Sequence, residues 1–178
     1  MIGGIGGGAS LIILFLACLL MGYNPLNSEY LFWDVLLLSF SVFLAALNYH
    51  IKRKFQGYKI LQTIVLNALA TLLGIMIYVT FLGLILPSQE KIVEEYKSNS
   101  YQEVSENRES FLERGLKEED IDIYLEDIRS KTSVQITMDT LQKLFLASPF
   151  IVFIAFVLIL LMHFVLILSR DKVIKNQK

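Results

Sequence analysis

The sequence predicts an all-α integral membrane four-helix bundle, with an extracytoplasmic helical insert between its third and fourth spans. Three observations carry this expectation. Of 178 residues, 54% are hydrophobic and only 19% charged, giving a mean hydropathy of +0.56. The uncharged residues gather into four long runs, and the charges between those runs are segregated by sign. A soluble domain of this size could not bury so much apolar side chain.

The uncharged runs are Met1 to Ser28, Val35 to Ile51, Ile60 to Gln89 and Leu144 to Ser169. A hydrocarbon core about 30 Å thick needs roughly 20 helical residues. Without period-two alternation these are helices and not barrel strands. Spans are expected at about 2–22, 31–51, 60–86 and 149–169. The first begins without Lys or Arg and meets no small-residue cleavage site before Asn24-Pro25, which argues against a signal peptide. Phe15-Leu16-Ala17-Cys18 faintly suggests a lipoprotein cleavage box, but the apolar run continues past Cys18, which reads better as a small buried hydrophobe.

Connecting charges set the orientation. Lys52, Arg53, Lys54 and Lys59 join the second and third spans with no acid, and a tail at 170–178 holds Arg170, Lys172, Lys175 and Lys178 against Asp171. These topology anchors predict cytoplasmic N- and C-termini. The first connection has only Glu29 and Asp34, while residues 87–148 carry fourteen acids and eight bases and belong outside. Tyr49 and Tyr58 then fall at the inner interface, and Tyr23, Tyr30, Trp33 and Tyr78 at the outer one. Asp34, beside Trp33, reads as a solvated or capping residue of the outer turn.

The insert is expected to be helical. Ile121, Tyr124, Leu125 and Ile128 form one apolar stripe behind the acids Glu118 to Asp120, and an earlier helix with Phe111 and Leu112 should end at Gly115. Ser148-Pro149 reads as the N-cap and first residue of the fourth span, with Leu141, Leu144 and Phe145 lying along the outer interface. The acids read as a solvated face; cation binding is the alternative, but Glu118 to Asp122 lacks the spacing of a calcium loop.

No catalytic pattern is present: one cysteine excludes a disulfide or a Cys-rich metal site, and no Walker loop, zinc helix or dinucleotide motif occurs. The chain is expected to be no enzyme, to hold no cofactor or metal and to bind no nucleic acid. Gly3, Gly4, Gly7 and Gly8, with Thr63, Ala70, Thr71 and Gly74 of the third span, are helix-packing candidates, because small residues let helices approach in lipid. Asn48, Asn67 and His163 lie about 6, 12 and 10 Å from the inner boundary at 1.5 Å per residue, and are expected to form one intramembrane polar layer. That layer is either an interhelical hydrogen-bond cluster or a proton or small-cation site. The expected role is a non-enzymatic structural or accessory component packing with itself or another membrane protein; the alternative is a small transporter or channel subunit.

Gly22-Tyr23-Asn24-Pro25-Leu26, Gly57-Tyr58 after a basic turn, and Gly115-Leu116-Lys117-Glu118-Glu119-Asp120-Ile121 carry a resemblance. In their order along most of the chain, these features resemble the uncharacterised membrane proteins of the domain-of-unknown-function family numbered 4199, common in Bacteroidota. The resemblance implies the four-span architecture and a bacterial inner membrane, and no activity. One departure is the start: such proteins begin with a short basic leader, whereas Met1 here runs directly into Ile2-Gly3-Gly4.

Overall fold

The computed structural model describes residues 2–52 and 60–175, with the side chains of 3–27, 30–52 and 60–165. The described residues form helices and their connections, without a strand: α1 (Ile2–Leu20), α2 (Ser28–Lys52), α3 (Ile60–Ile85), a 3₁₀ turn (Leu86–Ser88), α4 (Glu90–Glu106), α5 (Arg108–Glu113), α6 (Glu118–Ser130) and α7 (Ser133–Lys175). Four helices, α1, α2, α3 and α7, are long and apolar enough to cross a membrane. α1 packs on α2 and α3, and α7 on the same two helices.

Chain reversals are built by glycine where a left-handed residue is required. α1 closes in a Schellman motif, with Gly22 at φ +79°, Gly22 N–H donating to the Leu19 carbonyl and Tyr23 N–H to that of Cys18. Gly115, at φ +91°, ends α5 in the same way, with bonds to Leu112 and from Leu116 N–H to Phe111. Its expected place just beyond a helix end therefore has the expected backbone.

The fourth apolar helix differs from expectation. It starts sixteen residues before Pro149, at Ser133, and Pro149 lies inside it. The true start carries a capping box: the Gln135 amide oxygen accepts from both the N–H and the hydroxyl of Thr132, at 2.8 and 2.9 Å, and Gln135 N–H donates back to the hydroxyl. An interior proline forfeits one backbone bond and crowds the carbonyl four residues earlier. Packing holds the helix through it, since Ile136, Leu144, Ile151, Ala155 and Ile159, each no more than 1% exposed, lie buried on both sides of the proline. Leu144 is thus a core residue, while its neighbour Phe145 is exposed.

The segment before α7 contains three helices where the sequence suggests two. The first turns of α4 join the large apolar cluster, Ile92, Val93 and Tyr96 sharing it with Leu86, Ile136 and Leu144. Farther along α4, Val104 packs with Ile121, Leu125 and Ile128 of α6, flanked by Tyr101 and Phe111. Tyr124, assigned to that stripe from spacing, is instead half exposed. Polar contacts tie the elements together. Arg108 bridges Glu118 and Asp122 at 3.0 and 2.9 Å, and these hydrogen bonds, Asp122 first, raise its pKa. Lys131 reaches Asp139 at 2.6 Å and Asp127 at 3.6 Å. Burial lowers the pKa of Lys131, but the hydrogen bond and charge of Asp139 outweigh it and the net shift is upward.

Candidate functional site

The small residues of α1 and α3 meet. A Cβ at Gly4 would lie 2.7 Å from the Ala70 carbonyl oxygen, one at Gly8 would lie 3.0 Å from that of Gly74, and one at Gly74 would lie 2.7 Å from Leu38. Small residues four apart on both helices thus bring backbone against backbone. Gly3 and Gly7 face α2, the first against Ala45 and the second against Leu38. A Cβ at Gly6 would meet nothing within 4 Å.

Beside this seam runs a buried ridge with polar ends. On α2, Asp34, Leu38, Val42, Ala46 and His50 follow one another at intervals of four, and all are buried. On α3, Thr63, Asn67, Thr71, Ile75 and Leu82 are buried together with Tyr78. At one end the Thr63 hydroxyl and His50 Nε2 are 3.0 Å apart. At the other, Asp34 lies within electrostatic range of Tyr78 and of Cys18 of α1. Between the ends, the Asn67 amide and the Thr71 hydroxyl are enclosed without a hydrogen-bond partner among the described residues.

The expected polar layer is therefore drawn differently. Asn67 is buried, Asn48 is exposed and His163 is half-buried. Asn48 and Asn67 line one cleft of about 340 Å³ between α2 and α3, together with Gly3, Lys52 and Ala70. His163 of α7 lies within electrostatic range of His50. Thr63, Thr71 and Gly74 are buried and Ala70 is half-buried, while Lys52 is exposed at the cleft. Arg53, Lys54, Lys59 and Tyr58 lie outside the described residues, as do the side chains of Arg170 and Lys172.

One residue of the ridge escapes sequence reasoning: Asp34, expected in a solvated turn, is only 6% exposed within α2. The four-residue interval from Asp34 through Leu38 and Val42 to His50 was the available signal, since it puts both polar residues on the ridge of the apolar ones. Among the described residues no group of three or more His, Cys, Asp or Glu could hold a metal ion. No family model, no curated protein and no solved structure matches the chain.

Proposed function

We propose that this chain is a multi-pass membrane protein acting as a non-enzymatic accessory component, a four-helix bundle that mounts α4 to α6 as a rigid head for contact with another membrane protein or a second copy of itself. One observation carries the reading: the head is fastened to the apolar helices and is not strung between them. The Asn24 amide, in the α1–α2 connection, donates to the Ile92 carbonyl at 2.8 Å, Asn99 donates to Asn27 at 3.2 Å, and Ile92, Val93 and Tyr96 share the main core. The same contacts support the topology, because they bring two acidic connections to one end of the helices. The segregated charges put that end outside and both termini in the cytoplasm. The family resemblance adds a bacterial inner membrane to this proposal. Purification in mild detergent tests it: a stoichiometric protein partner, or a second copy, is expected, and release of that partner by surface changes in α6 would locate the contact. A monomer with no companion would contradict it.

A second reading is favoured by Asp34. Ionisable residues within a span are costly and commonly mark ion pathways. Here a buried acid and a buried histidine stand at opposite ends of one ridge, with unpartnered polar groups between them. On this reading the ridge passes protons or small cations. Vesicles holding a pH-sensitive dye would then report flux that Asp34→Asn abolishes; absence of flux in the unaltered protein rules the pathway out.

A further inference from the structure

A cleft of about 630 Å³ opens in the head, within the range of small-molecule sites. Its two walls are helix faces. Tyr96, Ser100, Val104 and Asn107 recur at intervals of three and four along α4, and Ile121, Tyr124 and Ile128 do so along α6. Val104, Ile121 and Ile128 are buried and make an apolar floor. The segment around it carries fourteen acids and eight bases, yet the cleft is lined by three of those bases, Arg114, Lys131 and Lys143, and by only two of the acids, Glu103 and Asp120. The acid excess thus faces outward and the cations gather within.

Two of the cations face aromatic rings. Lys131 lies 5.9 Å from the ring centre of Tyr124, and Lys143 is at the same distance from that of Tyr96. Lys131 is anchored by Asp139 at 2.6 Å. Lys143 and Arg114 form no ion pair among the described residues. Lys143 stands on α7 one residue before Leu144 of the apolar core, so the cationic end of the cleft is also the end nearest the apolar helices.

We infer that this cleft binds an anionic amphiphile, its acidic group at Lys143 and its apolar chain over Val104, Ile121 and Ile128. A cationic end beside an apolar floor suits a phosphate or carboxylate carrying a hydrocarbon chain, drawn either from the bilayer or from solution. The inference does not depend on which side of the membrane the head occupies, nor on whether the head has a protein partner.

The test uses the full chain in phosphatidylcholine nanodiscs, with Cys18→Ala and a reporter cysteine, Tyr124→Cys, in the cleft. The rate of maleimide modification is measured with and without decyl phosphate. Saturable slowing by at least fivefold is expected, with no change for Ile123→Cys, which is exposed and outside the cleft lining. Lys143→Glu should remove the protection, and neither decanol nor inorganic phosphate should supply it. Ser100→Cys on the α4 wall gives a second reporter should Tyr124→Cys perturb the head. In phosphatidylglycerol nanodiscs, slow modification without added decyl phosphate assigns the ligand to the bilayer, and slowing only upon addition assigns it to solution. Equal rates with and without decyl phosphate in both nanodiscs would overturn the inference, as would protection that survives Lys143→Glu or is matched by decanol or inorganic phosphate.

Discussion

Gly4 and Gly6 occupy the same turn of α1 and carry the same side chain, yet the structure gives them opposite roles. An added methyl at Gly4 would strike the Ala70 carbonyl and Leu73, whereas at Gly6 it meets open space. Gly4→Ala should therefore cost about 1–3 kcal/mol through overpacking, and Gly6→Ala should cost nothing. Thermal unfolding of both variants in detergent checks the pair; equal midpoints would show that α1 does not rest on α3 there. Asn67 offers a test of opposite sign. Its buried amide has no partner, and leaving such a group unpaired costs about 1–3 kcal/mol, so Asn67→Leu should raise the melting temperature. A drop would show that the amide is satisfied by water or a ligand. Spacing marks the small residues of α1 and α3 as packing candidates but does not say that they meet each other. That Asp34 turns inward is masked in the sequence by its neighbour Trp33, which points to an interface, although the four-residue interval shared with Leu38 puts it on the buried ridge.

Among the elements, α7 separates local signals from packing most clearly. Ser148-Pro149 offers a familiar helix start, but Thr132 with Gln135 offers a better one, and the buried residues on both sides of the proline hold a single helix of 43 residues. Local punctuation states where a helix can begin; apolar packing decides whether it does. Pro149→Ala distinguishes the two placements. Within the helix, proline costs about 3 kcal/mol, so the substitution should stabilise the protein measurably. At a first helical position, where the missing N–H has no partner to lose, it would be near neutral. The α6 stripe was legible because it is amphipathic by itself, and Ile121, Leu125 and Ile128 are indeed buried. Leu125→Asp should open the head to protease while the four apolar helices stay inserted, because those are stabilised independently by lipid. Unchanged protease resistance would show that the stripe is not what closes the head. The remaining helix, α4, was not legible as a separate element: its apolar residues face two surfaces, Ile92 and Tyr96 toward the main core and Val104 toward α6, so no single stripe stands out.

For the molecule as a whole, the fastening of the head and the unequal charge of the connections support the proposed topology, in which α4 to α6 share a side of the membrane with the α1–α2 connection and the basic residues between the second and third spans face the cytoplasm. The first half of that statement rests on contacts, above all Asn24 with the Ile92 carbonyl, and the second on the preference of Lys and Arg for the cytoplasm. Sequence alone supplied the charges but not the fastening, since Asn24 and Ile92 are 68 residues apart. The most direct measurement is labelling of intact cells with a membrane-impermeant maleimide after Cys18→Ala. A cysteine introduced at Leu116, exposed beside the α5–α6 turn, should be modified from outside, and one at Gln56 only after the cells are opened. Modification of Gln56→Cys in intact cells, with Leu116→Cys protected, would contradict the topology and the extracytoplasmic head together.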